Sequence, residues 1–127
     1  MTKNFFKKII AQSTKDLQMI SALCADGSIK ISNIKYLPKN KIFFFLITRK
    51  EKENNEDLKN TIIKFSFIDF CKSKNIDPNN FEKNFKLIGI EALKKDHDYK
   101  ITLLLSENSS ISLQSEIIDV EMCDQQE

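Results

Sequence analysis

The strongest structural signal in the chain is an apolar run, Lys41–Arg49, that reads Lys-Ile-Phe-Phe-Phe-Leu-Ile-Thr-Arg. It follows Tyr36-Leu37-Pro38-Lys39-Asn40, in which proline and asparagine favour a turn. Apolar side chains occupy consecutive positions of the run, so a strand formed by it must be covered on both faces. The two segments therefore predict a hairpin whose second strand lies in the middle of a core.

One helix is predicted near the start of the chain. Ser13 or Thr14 can accept a hydrogen bond from a free backbone N–H, and Asp16 in the first turn suits the helix dipole. Gly27, after Asp26, is predicted to end the helix in the left-handed conformation. Between these signals an apolar stripe follows helical spacing, at Leu17, Ile20, Leu23 and Cys24.

About seven strands are predicted in addition to the helix. Short polar turns join them, which predicts the α+β class: one helix packed on a strongly bent antiparallel sheet or an incomplete barrel. From the alternation of apolar and polar residues we expect Ile20, Phe44, Leu46, Phe65, Phe67 and Leu103 to be buried. Eight segments carry strand-like patterns, from which about seven strands are expected: Phe5–Ala11, Ser28–Leu37 with a bulge near Ser32-Asn33, Lys41–Arg49, Thr61–Lys72, Phe85–Leu93, Tyr99–Ser106, Ile111–Gln114 and Ile118–Met122.

The length of 127 residues predicts a single domain over residues 1–127. Within it, residues 50–60 are charged and have almost nothing to bury, which predicts a mobile loop. Residues 124–127 are expected to fray. The N-terminal segment lacks the unbroken apolar core of a signal peptide, and no run reaches transmembrane length. We therefore expect a cytoplasmic protein.

Composition narrows the classes of function. The chain has 20 basic and 18 acidic residues, giving a net charge of +2, and Arg49 is its only arginine. Lysines and acids are interspersed, so no basic block forms and nucleic-acid binding is not expected. The three cysteines, Cys24, Cys71 and Cys123, form no C-x-x-C pair, which predicts reduced thiols and neither a disulfide framework nor a zinc site. No catalytic residue, cofactor or metal ligand is predicted.

Two residues are surface candidates for a role in binding. His97, the only histidine, lies between two aspartates and could act as a base or metal ligand, but a polar turn residue is the favoured interpretation. Arg49 ends the apolar strand beside two lysines and could grip an anion. Glutamates are interleaved there, so a solvated charged face is favoured.

Several segments along the chain resemble those of a known protein family. They include Lys8-Ile9-Ile10-Ala11, Asp16-Leu17-Gln18-Met19-Ile20-Ser21-Ala22, Ile34-Lys35-Tyr36-Leu37-Pro38-Lys39, Thr48-Arg49, Phe85-Lys86-Leu87-Ile88-Gly89-Ile90 and Ile111-Ser112-Leu113. Together they resemble an alphaproteobacterial family of short proteins known only as a domain of unknown function. The resemblance covers nearly the whole chain, and the Tyr-Leu-Pro-Lys hairpin is its most specific part.

The chain departs from that family at three places. Lys50-Glu51-Lys52-Glu53 stands where the family has an aromatic-acidic pair, and Ala25-Asp26-Gly27 where it has Gln-Asp-Ala. Lys74-Asn75-Ile76-Asp77 stands where Arg-Gly-Ile-Asp is usual. The resemblance implies a small cytoplasmic bacterial protein of one domain. The family has no assigned activity, so the resemblance implies no catalytic residue.

Three hypotheses for function remain at this point. The first is a non-catalytic protein-interaction or regulatory module, whose partner is another protein. The second is a small-ligand or lipid-headgroup binding domain with a bent sheet of pleckstrin-homology-like shape, and the third is an enzyme whose site is built from scattered carboxylates. A deep pocket lined by polar groups would favour the second or third, whereas an open strand edge or apolar patch would favour the first. The oligomeric state is left open.

Overall fold

Ten strands and one α-helix make up the fold of the described residues, which are 8–51 and 54–125 in the computed structural model. A single 3-10 turn, Ile31–Asn33, separates the second strand from the third. The helix α1 spans Thr14–Cys24. The strands are β1 Lys8–Ala11, β2 Ser28–Lys30, β3 Ile34–Leu37, β4 Ile42–Glu51, β5 Asn54–Phe65, β6 Ile68–Lys74, β7 Asn84–Lys95, β8 Asp98–Leu105, β9 Ser109–Ser115 and β10 Val120–Asp124.

The strands form one antiparallel sheet in the order β1-β10-β5-β4-β2-β7-β8-β9-β6, and β3 pairs with β4 beside β2. The sheet does not close. The predicted helix on an open antiparallel sheet is confirmed, but the predicted count of about seven strands is wrong. Two predicted strands are each divided: the 3-10 turn, in place of the expected bulge, interrupts Ser28–Leu37, and a turn with Phe67 at a φ of 61° interrupts Thr61–Lys72.

The predicted hairpin is confirmed, with Leu37 opposite Ile42. The loop predicted over residues 50–60 is wrong for the described part of that segment, because β4 runs to Glu51 and β5 starts at Asn54. Backbone pairing extends the β4–β5 ladder into this polar region, and the Thr48 hydroxyl donates to Asn60 Oδ1 across it at 2.9 Å. The mobility expected for this segment stays a prediction, and residues 52–53 lie outside the described residues.

The core lies between α1 and the inner face of the sheet. Leu17, Ile20 and Cys24 of α1 are buried, and the helix packs against β7, where Ser21 Oγ accepts from the Ile90 N–H at 2.8 Å. Three phenylalanine rings, Phe43, Phe45 and Phe65, lie with their centroids 5.9–6.3 Å apart and are almost fully buried. The helix and β4 thus supply the centre of the core, as the sequence predicts.

The register predicted for β4 is wrong by one residue. Phe43, Phe45 and Ile47 face the core, whereas Phe44 and Leu46 lie on the other face and are half-buried. Both faces carry apolar side chains, so the alternation in this strand could not identify the inner face. Burial of Ile20, Phe65 and Leu103 is confirmed. Phe67 is 50% exposed because its positive φ turns it out of the strand.

The helix begins as predicted and ends differently. Ser13 is the N-cap, and its hydroxyl accepts from the Asp16 N–H at 3.1 Å. At the other end Asp26, not Gly27, takes the left-handed conformation, with a φ of 69°. Glycine is needed at position 27 for space, since a Cβ there would lie 2.5 Å from Ile47 Cδ1.

The expected fraying of residues 124–127 is wrong at its first residue. Asp124 belongs to β10 and is 7% exposed. The backbone N–H of Gln125 continues the pairing by donating to Asn60 O at 2.7 Å. Residues 126–127 lie outside the described residues.

Candidate binding site at the β6 edge

Strand β6 ends the sheet on one side. In the described part of the chain it pairs only with β9, and β3 pairs only with β4. Each strand therefore has one side whose backbone groups take part in no strand pairing. These two open edges lie across a gap from each other, since residues of both strands line one cleft.

The gap is pinned at one end. The Ile68 N–H at the start of β6 donates to Lys41 O at 2.8 Å, beside the turn that joins β3 to β4. The Lys41 ammonium lies 3.0 Å from Asp69 Oδ1, and this hydrogen bond raises the pKa of Lys41. These two contacts fix the start of β6 beside the β3–β4 turn.

Beyond the pinned end the gap contains an apolar cleft of about 320 Å³, the edge cleft. Its floor is made of the core residues Phe43 and Ile111, which are 1% and 4% exposed. Apolar atoms dominate its walls, so the cleft is suited to small aliphatic side chains. The walls comprise Ile34 and Tyr36 from β3, Cys71 and Ser73 from β6, and Ile76, Pro78 and Phe81 from the segment after β6.

The segment between β6 and β7 bounds the cleft at the end away from Lys41. Its backbone is fixed to the 3-10 turn, because the Ser32 N–H donates to Phe81 O at 3.1 Å and the Ile31 N–H to Lys83 O at 3.0 Å. Asp77 Oδ1 accepts from the Asn79 N–H at 3.0 Å, which fixes a turn after β6. The edge cleft is thus bounded at both ends and open along its length.

The outer face of β6 borders a second and larger depression of about 740 Å³, the lysine groove. Strand β9 forms its floor, because its outward residues are short and polar: Ser110, Ser112 and Gln114. The flanking strands carry longer side chains directly opposite these residues, so they stand up as walls. In the register these are Lys72 and Lys74 of β6, opposite Ser112 and Ser110, and Lys100 of β8, opposite Gln114.

The lysine groove has an excess of positive charge. Within residues 8–51 and 54–125, no carboxylate lies within 4.0 Å of the ammonium groups of Lys72, Lys74, Lys95 or Lys100. Asp98 Oδ2 at the rim accepts from the Gln114 amide at 2.8 Å. The lining of the groove thus carries four lysines against two carboxylates, Asp96 and Asp98, which favours an anionic group on this face.

His97 lies in the β7–β8 turn, as predicted, is exposed, and belongs to the rim of the lysine groove. The surface position predicted for Arg49 is wrong. Arg49 is 3% exposed, on the inner face of β4, because the alternation that buries Phe45 and Ile47 continues to it. The structure brings these two candidates to different faces and does not assemble them into one site.

Arg49 is held in a buried polar network of three strands. Its Nη2 lies 2.9 and 3.2 Å from the two carboxylate oxygens of Asp124, and its Nε donates to Thr61 Oγ1 at 3.1 Å. The Thr61 hydroxyl in turn donates to Asp124 Oδ1 at 2.6 Å. Every side chain in the network is hydrogen-bonded to the others, so the network joins β4, β5 and β10.

Cys24 of α1 is close enough to this network to be affected by its charges. Burial raises the pKa of the Cys24 thiol to about 11, with Asp124 adding to the rise and Arg49 opposing it. The thiol is therefore neutral at physiological pH and is a core residue, as predicted. Partial burial also raises the pKa of Cys71 in the edge cleft.

The described residues show neither a metal site nor a membrane-spanning helix. No group of three His, Cys, Asp or Glu side chains is arranged to hold a metal ion in residues 8–51 and 54–125. Over the same residues, no helix combines the length and apolar character that crossing a membrane requires.

Sequence reasoning missed the two faces of β6, although a signal was present. Strand β9 alternates Ile111 and Leu113 with Ser110, Ser112 and Gln114, and this period of two predicts a polar outer face. The sequence does not show which strands lie beside β9. Only the strand order reveals that lysines of β6 and β8 lie on either side of these serines. The open edge of β6 likewise depends on topology.

The fold and the edge define a class: an open antiparallel sheet, covered by one helix, with a terminal strand that separates an apolar cleft from a cationic groove. The chain belongs to the family described as protein of unknown function (DUF2948), whose model matches residues 7–127. No curated protein and no solved structure matches the chain.

Proposed function

We propose that this protein is a non-catalytic protein-interaction module that accepts an extended segment of a partner protein as an additional strand on β6. The observation that carries the proposal is the pair of open edges, β3 and β6, facing each other across the edge cleft. We place the module in the bacterial cytoplasm, as the resemblance implied. We also treat residues 1–127 as one domain, which the single continuous core cluster supports.

Strand addition suits this site for a physical reason. A polypeptide placed beside β6 would pair its backbone with the free N–H and C=O groups of the edge, which gives affinity without a preformed deep pocket. Its inward side chains would cover Phe43 and Ile111 at the floor of the cleft. The pinned end at Lys41 and Ile68 holds β6 in place before binding, so little ordering is required of the protein itself.

Amide hydrogen exchange tests the proposal directly. Peptides selected on the immobilised protein from a library of random linear sequences are added to the labelled protein. In an antiparallel strand alternate residues direct their backbone groups to opposite sides. We expect one alternate set of amides in residues 70–74, the set pointing away from β9, to become protected on binding. Binding that leaves these amides unchanged would refute strand addition at this edge.

Paired proline variants provide a matched control. Lys72→Pro and Ser73→Pro remove N–H groups of opposite direction in the same exposed strand. The variant that loses an N–H bonded to β9 should be less stable, whereas the other should remain folded and lose peptide binding. If the stable member of the pair binds peptides normally, the open edge is not the contact.

A second candidate function is supported by the lysine groove, which could hold a small anion or a lipid headgroup. Its test is a titration with pyrophosphate followed by backbone NMR. Shifts centred on Ser110, Ser112 and Lys100, reduced in Lys100→Ala, would support this function. Shifts that are uniform over all lysines would indicate only general charge attraction.

A further inference from the structure

We propose that the partner segment alternates acidic and apolar residues, with the acids facing the lysine groove and the apolar side chains entering the edge cleft. This inference rests on the proposed function, since it specifies the chemistry of the strand that β6 would accept. It follows from the different surroundings of the two faces of one short strand.

The two faces of β6 are sorted by position. Cys71 and Ser73 stand opposite Leu113 and Ile111 and line the edge cleft, whereas Lys72 and Lys74 stand opposite Ser112 and Ser110. An added strand has the same period of two, so its side chains divide between the same two environments. In a bound segment, every second side chain therefore faces the edge cleft, and the side chains between them face the lysine groove.

The outward residues of the added strand would meet the lysines. Side chains directly opposite each other on neighbouring strands have their Cβ atoms about 5 Å apart, which is within reach of Glu or Asp from Lys72 and Lys74. Both lysines are exposed, and among the described residues neither has a carboxylate within 4.0 Å. Acidic residues would therefore gain attraction without breaking an existing ion pair.

The inward residues of the added strand would meet apolar surface. Phe43 and Ile111 form the floor of the cleft, and Tyr36 and Ile34 form the wall opposite β6. The volume of about 320 Å³ suits small aliphatic side chains such as valine. A charged residue at an inward position would lose its hydration in this cleft, so the cleft selects against it.

A second copy of this chain is a poor occupant of the same edge. Pairing β6 with another β6 would bring Lys72 and Lys74 of the two copies together on one face, and like charges across strands are destabilising. Lysines on a terminal strand commonly oppose pairing between identical edges. The same two residues that reject a second copy would select an acidic partner.

The experiment compares short synthetic peptides of defined alternation, using the intact protein and both amide exchange and affinity as readouts. The first alternates Glu and Val, the second Lys and Val, and the third Ser and Val. The fourth has the Glu–Val composition with all Glu residues placed before all Val residues. We expect the Glu–Val alternating peptide to bind about tenfold more tightly than the Ser–Val peptide, and the other two to bind least.

Charge reversal at the edge provides the second arm. In Lys72→Glu/Lys74→Glu the preference should change to the Lys–Val peptide. The matched control, Lys95→Glu/Lys100→Glu, makes the same change in charge within the same groove. Lys100 lies on β8, two strands from β6, so it stands about 15 Å from an added strand, beyond the screening length of about 8 Å. The control should therefore keep the Glu–Val preference.

The outcomes separate this inference from the proposed function. If all alternating peptides protect the β6 amides with equal affinity, strand addition stands and the acidic–apolar preference is refuted. If no peptide protects those amides, the proposed function itself fails. If the control variant loses the Glu–Val preference as fully as the edge variant, the acids bind along the groove rather than beside β6, which also refutes the inference. The wild-type peptide series decides the question even if a variant fails to fold.

Discussion

At the scale of residues, the buried network of Arg49, Thr61 and Asp124 joins positions far apart in the chain. Arg49 and Asp124 are separated by 75 residues in sequence, yet their charged groups lie 2.9 Å apart. Both are more than nine-tenths buried. A buried pair of this kind stabilises the fold only while both members are present, because either one alone is a charge without solvent or partner.

Removing one member of this pair should therefore lower the free energy of unfolding by more than removing both. We expect Asp124→Ala to lower the free energy of unfolding by about 3–5 kcal/mol, since it leaves the guanidinium of Arg49 uncompensated. The double variant Arg49→Met/Asp124→Leu should lose less than either single charge removal. Urea denaturation of the two single variants and the double variant measures the coupling. Additive losses would contradict the interpretation of the pair as mutually compensating.

Cys24 gives a prediction on pH. Its folded-state pKa of about 11 lies above the value of 9.0 for an unperturbed thiol, so the unfolded state ionises first. The stabilisation is fully present below pH 9 and is lost as pH rises through 11, by about 3 kcal/mol in all. We therefore expect the difference in unfolding free energy between the wild type and Cys24→Ala to shrink over this range. A difference that stays constant from pH 8 to 11 would contradict it.

At the scale of elements, the two apolar faces of β4 contribute unequally to the stability of the fold. Phe45 is fully buried and lies 6.3 Å from the Phe65 ring, whereas the adjacent Phe44 is half-buried and faces Lys64 across the ladder. We expect Phe45→Ala to cost about 3–5 kcal/mol and Phe44→Ala about 1–2 kcal/mol, measured by chemical denaturation. Equal losses would mean that the outer face of β4 is covered as well as the inner.

Much at this scale could be predicted from local signals. The Ser13 cap and the stripe from Leu17 to Cys24 identified α1, and the Pro38 turn identified the β3–β4 hairpin. Local patterns failed where a neighbouring strand decided the outcome. Residues 54–60 carry few apolar side chains, so their pattern indicated a loop, although backbone pairing with β4 makes them strand.

The candidate site was less predictable than the fold because it depends on distant pairing. The sequence presents Arg49 as a charged residue at a strand end, and its burial depends on Asp124, whose position was expected to be frayed. The edge cleft requires that β6 pair with β9 and with no further described strand, and this information is not contained in any short segment.

At the scale of the whole molecule, the sheet depends on β10, which pairs with the first described strand, β1, and with β5. β10 lies between β1 and β5, and it contributes the buried residues Val120, Met122 and Asp124. Without it, the inner edge of β5 is unpaired and β1 has no neighbour in the sheet. One short strand thus completes two ladders and the polar network together.

A chain that stops at residue 117 should consequently lose cooperative unfolding. We expect a broad thermal transition and binding of an apolar dye, because the truncation removes a strand that is paired on both sides, with β1 and β5, rather than an edge strand. The matched control stops after Asp124, keeps β10 and should unfold in a single sharp transition. A truncated chain that unfolds as sharply as this control would show that β10 is dispensable for the core.

The position of β10 also matters during synthesis. Ribosomes add about 5–20 residues per second, so Asp124 is made about 4–15 s after Arg49, given the 75 residues between them. Once β5 is complete, the newborn chain carries an unpaired guanidinium and an uncovered edge on β5, and both remain until β10 pairs with β5. Until then the nascent protein is a strand acceptor at a second place, and it needs shielding by chaperones until β10 pairs with β5.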